Sequence, residues 1–426
     1  MNGWVIKGDL CFSKTKTELN CMENGFLVCE DGRFAGAFSQ LPEKYAQLPL
    51  KDHTGKLVFP GLVDLHIHAP QFAFRATGMD LELLDWLNQI TFPEEAKYRD
   101  EAYAAKAYGQ FADCMRKSAT TRAVIFATRH RAATEILMDR MEKTGLVSYV
   151  GKINMDRFCI PELQEDSYLD SAYDTFAWIN GISHKYKRTY PILTPRFIPS
   201  CSDELMNELR ELQRTFDLPV QSHLSENKSE IAWVQELCPW SRFYGDAYAR
   251  WDLFGAEVKT VMAHCVWSPE EEVQMMRERG VFIAHCPASN VNLSSGIAPI
   301  RKYLDLDMKV GLGSDVAGGH TQSVFRAISD TVQVSKLYWR LADETCRPVT
   351  FEEAFYLATV GGGEFFGAVG SFEPGQEADC VVLDDSIEPS VEKLPIRKRM
   401  ERAVYLELDR GGICEKYVRG EKCELQ

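Results

Sequence analysis

Short apolar runs rich in β-branched residues recur along the chain from residue 62 onward: Leu62 to His68, Ala123 to Thr128, Leu146 to Ile153, Tyr190 to Phe197, Leu218 to Leu224, Val258 to His264, Gly280 to Cys286 and Met308 to Asp315. Each has the length of a strand rather than of a helix. Helical patterns lie between most of them. Leu205, Leu209, Leu212 and Phe216 repeat at i, i+4, i+7 and i+11, and Ile231, Val234 and Cys238 repeat at similar spacing. The fifth and sixth runs are therefore joined by helix, as parallel strands require. Start and stop signals agree: Ser268-Pro269-Glu270-Glu271 and Thr350-Phe351-Glu352-Glu353 read as capping boxes, and Gly280 ends the helix that the first one opens.

Eight strands alternating with helices predict an α/β fold, a (β/α)8 TIM-type barrel over residues 56–369. An open doubly wound sheet would want a glycine-rich phosphate loop after its first strand, and that position holds histidines instead. Residues 1–55 and 370–426 carry short β-like stretches: Trp4 to Ile6, Gly25 to Cys29, Cys380 to Leu383 and Ala403 to Leu408. Each end alone is too short for a stable sheet, so the two are expected to pair in space as one small β domain.

Composition narrows the possible partners. The chain has 426 residues, 45% of them hydrophobic and 26% charged, which suits a large buried core. A formal charge of -14 argues against nucleic acid or an anionic membrane as partner, because phosphate binding needs a clustered positive surface. No run approaches the roughly 18 apolar residues of a membrane span, and Met1 to Lys14 lacks a secretory signal's basic start, so the expected location is cytoplasmic. Thirteen cysteines without a C-x-x-C pair are expected to be reduced and buried.

The candidate chemistry lies where the apolar runs stop. In Pro60-Gly61-Leu62-Val63-Asp64-Leu65-His66-Ile67-His68 a strand turns His66 and His68 to the same face. Alone, such a pair is more often a pair of core histidines than half of a metal site. Arg196, His223, His264 and Asp315, however, end the fourth, fifth, sixth and eighth runs, and a barrel enzyme works at its strand ends. His66, His68, His223 and Asp315 offer three nitrogens and an oxygen to a divalent ion with a further position open for water. His264 is read as a fifth ligand or, preferably, as a group that steadies the attacking water and the tetrahedral intermediate. Glu226, three residues past His223, reaches the space above the metal and suits proton transfer from water to a substrate nitrogen; otherwise it is a helix-start carboxylate. His285 also ends a run and is read as structural.

These residues together resemble the amidohydrolase superfamily of barrel metalloenzymes, and the resemblance extends to the closing run Pro374-Gly375-Gln376-Glu377-Ala378-Asp379. Binuclear members carry a bridging lysine or glutamate at the fourth strand, where this chain has Pro195-Arg196-Phe197, so it is similar to the mononuclear deaminase branch. Within that branch His68-Ala69-Pro70-Gln71, Asp85-Trp86-Leu87, Thr91-Phe92-Pro93-Glu94, His223-Leu224-Ser225-Glu226 and Ser314-Asp315-Val316 are similar to the guanine-deaminating members. The resemblance implies one zinc ion per chain on His66, His68, His223 and Asp315, with Glu226, Asp315 and His264 as catalytic groups. It also implies guanine and water as substrates, a part in purine catabolism, and a homodimer. Gln71, Arg196 and Phe197 would contact the base, alongside His68, His223, Glu226, His264 and Asp315. A deaminase for another amino-substituted heterocycle and a non-catalytic assembly protein on the same fold are the rival readings.

Overall fold

The structure, a computed structural model, describes residues 3–425, so the expected domain ends at residues 1, 2 and 426 lie outside the described residues. The apolar runs form strands in two parallel groups of four. The first group places Leu62–His68, Thr120–Phe126, Val147–Gly151 and Thr189–Pro191 side by side in chain order. The second does the same with Val220–Leu224, Thr260–His264, Phe282–His285 and Val310–Leu312. Neighbours in sequence are neighbours in space because a helix crosses back between most of them, as in Asp203–Phe216, which buries Leu205, Leu209 and Leu212.

Backbone hydrogen bonds join the two groups along both seams. On one, Leu193 N–H donates to Pro219 C=O at 2.9 Å and Gln221 N–H to Leu193 C=O at 3.0 Å. On the other, Asp315 N–H donates to His66 C=O at 2.8 Å and His68 N–H to Val316 C=O at 3.1 Å. The second seam sets the eighth run against the first. The eighth strand ends earlier than its apolar pattern suggests, at Leu312, and Asp315 follows in a left-handed conformation with φ 47°.

The chain ends meet in one seven-stranded sheet. Leu50–Pro60 lies in its middle, parallel to Gly3–Ser13 on one side and antiparallel to Cys380–Leu383 on the other. Trp4, Phe12, Phe34, Phe372 and Tyr417 form its own apolar cluster. Two local expectations fail. Ala403 to Leu408 is not β: Ile396–Tyr405 is a helix, because Met400, Ala403 and Val404 fall at i, i+3 and i+4 on one buried face. The helix Glu270–Arg279 opens at Pro269 without a side-chain cap, whereas the Thr350–Glu353 box forms in full. All thirteen cysteines are free, and eight are buried as expected, whereas Cys114, Cys159, Cys346 and Cys414 are half-buried and Cys21 is exposed. Among the described residues no helix is long and apolar enough to cross a membrane.

Charged and close contacts fasten the sheet to the parallel strands. A Cβ on Gly61 would lie 2.2 Å from the Thr121 side chain, so glycine is required where the chain passes from sheet to first parallel strand. Arg122, 1% exposed at the side chain, donates from Nε and Nη2 to Asp379 at 2.8 and 3.0 Å and from Nη2 to Glu377 at 2.7 Å. Buried Lys416 donates to the carbonyls of Met115, Ser118 and Thr120 at 3.1, 2.9 and 3.0 Å. Removing one partner of a buried pair strands the other's charge. Arg122→Met is therefore expected to lower unfolding stability by about 3 to 5 kcal/mol in denaturant titration. A loss below about 1 kcal/mol, the scale of an exposed pair, would show that the bridge does not hold the two parts together.

Candidate active site

Alternation along Leu62–His68 turns His66 and His68 to one face, and both are buried. Asp64, on the same face, organises the turn around them. Its carboxylate accepts from His66 N–H at 3.2 Å, Ser314 N–H at 3.0 Å and the Ser314 hydroxyl at 2.5 Å, which holds the segment bearing Asp315 against the first strand. His223 projects from Val220–Leu224. Its Nδ1 lies 2.6 Å from the Arg196 carbonyl, an acceptor, so Nδ1 carries the proton and Nε2 presents a lone pair.

Four donor atoms converge. His68 Nε2 lies 3.2 Å from both His66 Nε2 and His223 Nε2, while Asp315 Oδ1 lies 3.1 Å from His66 Nε2 and 3.4 Å from His68 Nε2. An ion with ligands at about 2.0–2.1 Å in a tetrahedron has edges of about 3.3–3.4 Å, so these spacings are those of a shared coordination sphere. Burial first, then His66, holds both His68 and His223 well below the usual imidazole range, which keeps them neutral as ligands must be. Burial alone would raise Asp315. His66, His264 and His68 outweigh it and hold the carboxyl well below the usual range, as an anion.

His264 and Cys286 also stand within 4.8 Å of members of this group. Burial pushes the Cys286 thiol well up, and the thiol donates to Ala284 C=O at 3.4 Å, so it is a poor ligand. His264 is engaged differently. Its Nδ1 lies 2.9 Å from Asn290 Oδ1, and its Nε2 faces Glu226 Oε2 at 3.3 Å and Asp315 Oδ2 at 3.7 Å. Glu226 is pushed up to about 8 by burial and then by Asp315, against a bond donated by the Ser295 hydroxyl at 3.0 Å. A protonated Glu226 can donate to the His264 Nε2 lone pair, and a carboxyl tuned this high suits proton traffic at neutral pH.

Beside this cluster lies a cavity partly open to solvent. Leu83, Trp86, Leu87, Phe197 and Leu293 supply apolar walls, and Gln71 and Arg196 the polar ones. Every residue placed in the site by sequence thus reaches this cavity or the donor cluster beside it. His285 does not line the cavity: it is buried, its ring nitrogens have no hydrogen-bond partner among the described residues, and burial lowers it to about 3. Four contributors escape sequence reasoning: Asp64, Ser295, Glu230 and Glu95. Glu230 lines the cavity, accepts from Tyr244 at 2.8 Å, and caps the helix Lys228–Leu237. Glu95 lies behind the polar wall. The Arg196 guanidinium gives two of its five N–H groups to the buried Glu95 carboxylate and keeps three.

A fold of parallel strands with a histidine-rich donor set at their ends defines a class, and the sequence pattern of the amidohydrolase family matches residues 57–407. The chain belongs to that family. A guanine deaminase of Dictyostelium discoideum is 37% identical over 88% of this chain and 84% of its own length, and one of Mus musculus is 41% identical over 76% and 72%. The crystal structure of guanine deaminase from C. acetobutylicum, with guanine bound in its active site, superposes with a TM-score of 0.95 at 44% identity, covering 99% of this chain and 100% of that one.

Proposed function

We propose that this chain is a guanine deaminase that hydrolyses guanine to xanthine and ammonia with the help of one zinc ion. The observation that carries the reading is the juxtaposition of the His66, His68, His223 and Asp315 donor atoms with a cavity presenting Gln71 and Arg196. Three imidazole nitrogens and one carboxylate suit zinc, which when bound acts as a Lewis acid on water.

The chain's own residues do the rest. Guanine lies against Phe197 with its carbonyl oxygen and ring nitrogens toward Arg196 and Gln71, which bring its amino-bearing C2 to the cluster. The water attacking C2 gives one proton to Glu226, which passes it to a ring nitrogen of the purine. The new hydroxyl's proton then leaves with the amino group as ammonia, a transfer that Asp315 can share. His264 Nε2, 3.3 Å from Glu226 Oε2, is read as accepting from the hydroxyl added at C2 and so steadying the tetrahedral intermediate. The apolar wall of Leu83, Trp86 and Leu87 shields that side of the cavity from bulk water.

The hydrogen bonds along both seams support a barrel closed over residues 56–369, and the pairing of Cys380–Leu383 with Leu50–Pro60 supports a small β domain from 1–55 and 370–426. A homodimer acting in the cytoplasm belongs to the same reading. Gel filtration with light scattering tests the dimer.

Ammonia release across a panel of bases tests the substrate. Adenine has an amino group where guanine has the carbonyl that Arg196 addresses, and leaving a buried donor unpaired costs about 1 to 3 kcal/mol, or roughly ten- to a hundredfold. Guanine is therefore expected to exceed adenine and cytosine by at least that factor. Equal rates with adenine would sink the assignment.

A further inference from the structure

Behind the polar walls of the cavity lies a buried carboxylate that the proposed chemistry does not use. Glu95, 1% exposed, sits in the short helix Phe92–Ala96, directly after the segment whose Leu83, Trp86 and Leu87 line the cavity. Its Oε1 accepts from Gln71 Nε2 at 2.8 Å and from Arg196 Nη2 at 3.3 Å, and its Oε2 accepts from Arg196 Nη1 at 2.6 Å. One carboxylate thus holds both polar side chains of the base pocket. The Arg196 guanidinium also lies 5.1 Å from the Phe92 ring centre, a second contact with the same segment. On its other side Gln71 Oε1 accepts from Ala317 N–H at 2.9 Å.

We infer that Glu95 is the positioning residue of base recognition: it fixes Gln71 and Arg196 in the orientation that reads the purine and balances the arginine's charge so that the pocket takes a neutral base. The inference rests on the proposed guanine deaminase activity. After Glu95 is served, Gln71 keeps one amide N–H and one acceptor lone pair, and Arg196 keeps three N–H groups. That remainder suits a ring carbonyl with its neighbouring ring nitrogens. Without Glu95 the amide keeps, among the contacts described, only the bond from Ala317 and the guanidinium only its contact with the Phe92 ring, and an unbalanced guanidinium draws anions into the pocket. The loss falls on binding, because Glu95 touches neither the donor cluster nor Glu226 among the contacts described.

Glu95→Gln and Glu95→Asp test this in the zinc-loaded enzyme, with guanine turnover of the unmodified protein measured first. If the unmodified protein does not deaminate guanine, the substrate reading fails and this inference falls with it. If it does, Glu95→Gln is expected to raise KM about ten- to a hundredfold, with kcat within about threefold and zinc content unchanged. Binding of an anionic purine such as deprotonated xanthine should tighten, a change that a merely structural role would not produce. Glu95→Asp keeps the charge but shortens the reach by one methylene, and should raise KM by a smaller factor, about three- to tenfold. An unchanged KM in either variant overturns the role of Glu95 while leaving the activity assignment standing, as does a fall in kcat alone. Should the glutamine variant not fold, the aspartate variant decides the matter by itself.

Discussion

Replacing Glu226 with glutamine is expected to leave a folded, zinc-loaded protein whose kcat for guanine falls by about 10²- to 10⁴-fold, the usual contribution of a general acid-base group. The local geometry makes the substitution clean. The amide oxygen can still accept from Ser295, now 3.0 Å from Oε1, and the amide N–H can donate to His264 Nε2, now 3.3 Å from Oε2. Size and hydrogen bonds are kept while the ability to exchange a proton is lost. Gln71 and Arg196 are untouched, so KM should change little. Elemental analysis, circular dichroism and steady-state kinetics read the three properties separately. A fully loaded variant that deaminates guanine within a few-fold of the unmodified enzyme would leave Glu226 as a helix-start carboxylate and move the proton path to Asp315 or another group.

His223→Ala should instead lose metal and activity together. Its Nε2 lies 3.2 Å from His68 Nε2 and its Nδ1 is anchored at 2.6 Å to the Arg196 carbonyl, so the substitution removes one pre-oriented donor of the four. The unmodified protein, purified without added metal, is expected to hold about one zinc per chain, and the variant to hold less than about a tenth of that. Two equivalents of metal, both needed for activity, would remove the mononuclear assignment. His264→Ala separates the two readings of that residue: retained zinc with lost turnover makes His264 a catalytic group, and lost zinc makes it a fifth ligand.

Much of this was legible along the chain because it depends on local periodicity. A strand's twofold alternation aims His66 and His68 together wherever that strand lies, and the stops of successive apolar runs mark the end of the fold at which the chemistry gathers. The same reasoning misjudged Ala403 to Leu408, where a short apolar stretch fits strand and helix alike and the buried face at Met400, Ala403 and Val404 decides for helix.

Glu94 and Glu95 show most clearly where local information stops. Side by side in Phe92–Ala96, they are chemically identical in sequence. Glu94 forms an exposed ion pair with Lys97, whereas Glu95 is buried and holds Gln71, 24 residues away, and Arg196, 101 residues away. Asp64 is a similar case: one carboxylate inside an apolar strand, whose partners Ser314 and His66 lie 250 and two residues away. The sequence alone determined most element types, the apolar-run ends that carry donor groups and the residue types able to hold a metal, because each follows from periodicity and side-chain chemistry. The tertiary structure alone decided which buried carboxylate meets which arginine, amide or histidine, because burial and charge pairing are set by elements far apart in the chain.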